Sequence, residues 1–213
     1  MYPYVKLMRL ELFVLAKDSR VRIKLMLSFL LIIYVLSYSL FESDANILPF
    51  FYFGFFFVSP LIDYSFFSER LHKRFPLLLG RGFSLIQIIV SKSLTIFALG
   101  LFAGIFFTSL AFYFNSAQIL HASFDPSHFK YFLTIALYNF WIIILSGLLQ
   151  TRFEIIFPVR LLHIAGFLIF VNFQNHAIDS LMRHLYPIQI ISLAVLISAT
   201  VLMVSVVNKD KIA

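Results

Sequence analysis

Few residues in this chain have types and spacing suited to chemistry. His121, His128, His176 and His184 form two pairs, seven and eight residues apart. Imidazole is the commonest metal-binding side chain, so four histidines on one side of a membrane would suggest a metal centre. They come from two different loops and have no cysteine beside them, so solvated loop histidines are the favoured reading. Asp63 and Arg160 lie within apolar runs. Charge at such depth is usually paired or functional, which makes these two a candidate intramembrane pair. The alternative has Arg160 snorkelling to the headgroups while Asp63 meets water; both readings stand. Asn139, His163, Asn172 and Gln174 read as hydrogen-bonding residues between helices rather than as a polar path. The phosphate loop Gly-x-x-x-x-Gly-Lys-Ser/Thr, the zinc motif His-Glu-x-x-His and the nucleophile elbow Gly-x-Ser-x-Gly are all missing. With no cysteine there is no thiol nucleophile, no Cys metal site and no disulfide. No catalytic residue, metal site or cofactor is therefore assigned to the chain itself.

The elements that must position these residues are membrane helices. The chain has 213 residues, 61% of them hydrophobic and 13% charged, and a mean hydropathy of +0.94. Soluble domains are about half apolar and about a quarter charged. Apolar runs recur at about 25–41, 47–67, 93–114, 130–149, 155–173 and 187–207, and about 20 such residues cross a bilayer as a helix. Backbone groups in lipid must be satisfied within their own segment, which selects helices over open strands. The expected fold is all-α: one polytopic transmembrane domain over 1–213 with six transmembrane helices. With the N-terminus inside, every Lys and Arg except Lys130 and Arg183 falls on the inner side, so the positive-inside rule places both termini in the cytoplasm. The net charge of +7 then reads as topology and anionic lipid, not nucleic acid.

Residues 1–24 read as a retained interfacial helix, not a signal peptide, because no small-residue cleavage site follows. At 100° per residue, Lys6, Arg9, Lys17, Arg20 and Lys24 share an arc of about 80°, with apolar residues filling most of the rest. Residues 25–67 hold helices 1 and 2, residues 68–92 a cytoplasmic segment, and residues 93–207 helices 3 to 6. Within "FFYFGFFF" at 50–57, packing against neighbours or lipid is favoured over a wall for an apolar substrate. The 68–92 segment is basic, yet Phe75, Leu78 and Leu79 recur in it at helical spacing. Pro76 suits the start of a short helix. Gly80 and Gly82 flank Arg81 and permit a sharp corner. Ser84 with Gln87 has the form of a capping box opening a new helix, one that runs through Lys92 into the third span.

The N-terminal "RLELFVLAKDSRVRIKL", the two spans after it and the run "ERLHKRFPLLLGRGFSLIQIIVSK" together resemble the transmembrane subunit of ABC transporters of the ABC-2 type. Glu69 and Arg70 match the charged start of that family's motif, "FPLLL" its Leu-rich run, and Lys92 the lysine closing the apolar stretch. Ser91 replaces the usual glycine, and Phe75 and Pro76 stand where Gly-Thr is expected. "LMRHLYP" is similar to the family's apolar-Asn-Pro entry to the last helix, with Tyr186 for Asn.

The resemblance implies a permease subunit, without its own ATPase, of an exporter in a bacterial cytoplasmic membrane. Residues 1–20 would form a connector helix on the inner leaflet. Residues 69–82 would be a coupling helix seated in a separate ATPase subunit, which binds the ATP and Mg. Glu69, Arg70, Lys73, Arg74, Phe75, Leu78, Leu79 and Arg81 are the candidate coupling residues. Two such chains, like or unlike, would pair and pass substrate between them. The competing readings are an accessory or scaffold subunit of another membrane complex, and an integral-membrane enzyme acting on lipid or peptide.

Overall fold

The structure, a computed structural model, describes residues 2–39, 45–46, 48–71, 74–116, 122–123 and 129–152, with scattered helical positions between 190 and 201. The architecture is all-α. The chain runs through α1 (Tyr2–Lys17), α2 (Ser19–Ser39), α3 (Leu48–Leu71), α4 (Arg74–Gly80), α5 (Leu85–Ser116) and α6 (Phe129–Arg152). Two two-residue extended segments, β1 (Ala45–Asn46) and β2 (Ala122–Ser123), pair in parallel, Ala45 with Ala122 and Asn46 with Ser123. They join the chain just ahead of α3 to the chain between α5 and α6. The fifth expected span, and most of the sixth, lie outside the described residues. Among the described residues one helix, Leu85–Phe114, is long and apolar enough to cross a membrane, while Phe50–Phe66 and Ile135–Gln150 are apolar but shorter.

The expected interfacial helix over 1–24 is two helices. α1 stops at Lys17 and α2 starts at Ser19. Asp18 makes the break, because its Oδ1 accepts the Arg20 amide at 2.8 Å, an N-cap that competes with continued winding. Arg20 and Lys24 therefore belong to the helix that carries the first apolar run, not to α1.

α3 and α5 form the centre, and glycine sets their separation. A Cβ added to Gly54 would stand 2.0 Å from the Gly104 nitrogen and 2.6 Å from the Gly100 carbonyl oxygen. The backbones cross in direct contact there, the close approach that small-xxx-small patterns allow. Around the crossing, Phe51 and Phe55 meet edge to face, and Phe51 packs on Phe132 of α6 with ring centroids 5.0 Å apart. Phe50, Phe51, Phe53 and Phe55 are all buried, so the "FFYFGFFF" run is mainly core packing. Gly147 lets α6 in: a Cβ there would lie 2.7 Å from Phe66 Cζ and 3.2 Å from Ile89 Cγ2.

Pro60 lies inside α3 and cannot donate to the Phe56 carbonyl one turn back. Ser59 Oγ donates to that oxygen at 2.8 Å instead, so the helix continues to Leu71. The same economy recurs elsewhere. Thr95 Oγ1 donates to Ser91 O, Asn139 Nδ2 to Ile135 O and Ser146 Oγ to Ile142 O, each within its own helix.

Candidate functional site

The strongest local structure is the corner between α3 and α5. α4 ends in a Schellman motif: Phe83 N–H donates to Leu78 O at 3.3 Å and Gly82 N–H to Leu79 O at 3.0 Å. Gly82 has φ +84°, a conformation that costs any residue with a Cβ. The apolar contact that usually accompanies this motif is present, since Phe83 packs with buried Leu78. α5 then opens on a reciprocal cap. Gln87 N–H donates to Ser84 Oγ at 3.2 Å, and Ser84 N–H donates to Gln87 Oε1 at 2.9 Å. The capping box and the Gly-Arg-Gly corner are where the sequence places them, and α5 runs unbroken through Lys92.

The candidate coupling residues divide across this corner. Glu69 and Arg70 lie in the last turn of α3, and Arg74 and Phe75 open α4. Lys73 is outside the described residues. Leu78 turns inward and joins Leu7 of α1 and Ile88 of α5 in one buried cluster. Leu79 and Arg81 point outward, as does Leu77, which is 67% exposed. Among the Leu-rich residues, then, Leu78 holds the corner to the bundle, while Leu77 and Leu79 form its outer surface. Leu77 was not among the sequence candidates.

Directly behind the corner lies a buried polar joint. Lys92 Nζ of α5 is 2.5 Å from Glu11 Oε2 of α1, with both side chains about 95% buried (4% and 5% exposed). Ser65 of α3 sits between them: its hydroxyl donates to Glu11 Oε1 and accepts from Lys92 Nζ at 3.2 Å, and its carbonyl accepts from the same ammonium at 3.3 Å. Next to Ser65, the Tyr64 hydroxyl donates to Asp18 Oδ2 at the elbow between α1 and α2. Lys24 Nζ of α2 lies 6.0 Å from the centroid of the Tyr64 ring. Adjacent residues of α3 thus hold both acids of the N-terminal elbow. The sequence signals for this joint are Lys92, the lysine at the end of the apolar stretch, and Glu11, an acid on the apolar side of the α1 wheel, opposite the basic arc.

A serine hydroxyl 3.2 Å from a lysine amine has the outline of a nucleophile and its base. Here the chemistry runs the other way. Lys92 Nζ donates to Ser65 and to Glu11, and the Ser65 hydroxyl donates to Glu11 rather than to the amine, so the serine is not aimed at a base in the lysine. Ser65 is also 1% exposed, closed to any substrate. The joint is a fastening between helices.

Asp63 accepts from Gln150 Nε2 of α6 at 3.1 Å; Arg160, the other member of the candidate pair, lies outside the described residues, as do the four loop histidines. Among the described residues no group of three or more His, Asp or Glu side chains comes together to hold a metal ion. No family model, curated protein or solved structure matches the chain.

Proposed function

We propose that this chain is the membrane-embedded permease subunit of an ABC-2-type transporter, an exporter driven by a separate ATPase that grips the α4 corner. The observation that carries the reading is the corner itself. It is a short helix fixed at its C-terminal end by a Schellman motif and followed at once by a capping box. It is anchored inward by Leu78, and its outer surface offers Leu77, Leu79 and Arg81. With no nucleotide motif in the sequence, energy must reach the chain through a mechanical contact, and a rigid knob at the start of α5, the longest of the described helices, is suited to receive it.

The membrane setting has its own support. α5 has 32 residues, about 48 Å at 1.5 Å per residue, against a hydrocarbon core of about 30 Å. That leaves its first two turns, with Lys92, near the headgroups while the rest crosses. Phe102, Ile105, Phe106 and Tyr113 on α5, and Ile23, Met26, Leu27 and Leu30 on α2, are exposed. Apolar faces of that extent mark contact with lipid or protein. In this reading the chain has six spans and both termini inside, and pairs with a second permease chain.

The test is a gentle-detergent pull-down of the tagged chain from its own cells. A stoichiometric ATPase is expected, and its loss on reversing Arg70, Lys73 and Arg74 together. A chain that returns alone, or with partners that are not ATPases, overturns the reading in favour of a scaffold or enzyme.

A further inference from the structure

We infer that the buried Glu11–Lys92 pair is a register pin, positioning α1 along α5 so that the corner helix is seated in one place. The geometry is periodic. Leu7 lies four residues before Glu11 on α1, and Ile88 four residues before Lys92 on α5. Four residues is about one helical turn on the same face, so the ion pair and the apolar contact are successive rungs between the same two helices. Leu7 and Ile88, with Phe83, form the buried cluster that Leu78 of α4 joins.

The apolar rung alone leaves the register weakly determined. Leucine and isoleucine faces offer similar contact after a slide of one turn, since dispersion and burial are non-directional. A buried charge pair does not slide freely. Displaced by one turn, it leaves two desolvated charges apart, a penalty that apolar faces sliding past one another do not meet. Ser65 reinforces this by holding Glu11 and Lys92 from α3 as well. A single buried polar contact that fixes register is the best-attested use of such groups.

The transporter reading supplies what the corner docks to; the pin itself is independent of it. The chain has no cysteine, so introduced thiols are the only ones it carries. Two pairs are compared in isolated membranes with a short thiol-to-thiol cross-linker: Leu7→Cys with Ile88→Cys for the native register, and Tyr4→Cys with Ile88→Cys for a slip of about one turn. In the otherwise unaltered chain the native pair dominates. In Glu11→Gln and in Lys92→Met the native-to-slipped ratio falls by about tenfold or more, a factor that corresponds to about 1.4 kcal/mol. The double variant Glu11→Met/Lys92→Met keeps the apolar volume without the charges and is expected to remain monodisperse in detergent. Its ratio falls likewise, even where the single variants fail to fold. A monodisperse double variant with the unaltered chain's ratio overturns the pin. Retention of the co-purifying ATPase is measured on the same variants and should fall with the ratio. If no ATPase accompanies the unaltered chain, the transporter reading fails while the cross-linking ratio still decides the pin.

Discussion

The α3–α5 pair is held together differently at its two ends. At one, Gly54 meets Gly100 and Gly104 backbone to backbone, with phenylalanines closing around them. At the other, Lys92 donates directly to Ser65, and a buried carboxylate from α1 bonds to both. The glycine crossing fixes how close the helices come, because no atom stands between them. The polar joint ties α3 to α5 through Ser65 and sets where a third helix, α1, sits along α5, because its partners have direction and charge. Glycine contact sets distance and the ion pair sets register; the α4 corner lies beside the second.

Removing one charge should have the largest effect. Lys92→Met leaves Glu11 buried without its cation and should destabilise the detergent-purified chain by about 3–5 kcal/mol, read as a fall in unfolding temperature. Glu11→Met/Lys92→Met should recover most of that loss. A double variant as unstable as the single would mean that the joint contributes through packing instead of charge.

The glycine end comes next. Gly54→Ala places a methyl group 2.0 Å from a backbone nitrogen, and overpacking costs about 1–3 kcal/mol, occasionally more, with the upper end expected where the obstacle is backbone. The same measurement on Gly80→Ala sharpens the contrast, because a Cβ there meets nothing within 4 Å. That variant should match or slightly exceed the unaltered chain, since alanine is the better helix former.

Smaller effects belong to the corner. Gly82→Ala has open space around it but must adopt φ +84°, a strain of about 1–2 kcal/mol. Ser84→Ala removes one half of the capping box and should cost about 1 kcal/mol. Both variants should leave cross-linking between α1 and α5 unchanged. A change there would mean that the corner, not the ion pair, sets the register.

How much could be read from sequence follows from how local each feature is. The capping box at Ser84 and Gln87 spans one turn, and the Gly82 corner only a few residues, so their chemistry was legible. Asp18 was equally local, but it stood between two helix-forming runs within one amphipathic pattern, and that continuity hid the elbow. Leu78 and Leu79 are neighbours in an unbroken leucine run. Nothing in such a run says which one faces inward until Leu7 and Ile88 are placed. The glycine crossing had a signal in "GLFAG" at 100–104, a small-xxx-small spacing, but its partner Gly54 lay hidden in a run of phenylalanines.

By itself the sequence determined the all-helical character, the strongly apolar helix through 85–114, the turn chemistry of the corner and the lack of known nucleotide, zinc and serine-hydrolase motifs. Composition, periodicity and short-range hydrogen bonding are properties of neighbouring residues, and they survive without a fold. Only the tertiary structure decided that Glu11 belongs to Lys92, that Gly54 faces Gly104, and that Leu78 is an anchor while Leu77 is surface. Glu11 and Lys92 are 81 residues apart. In helices apolar on nearly every side, periodicity does not mark a contact face; packing three helices together does.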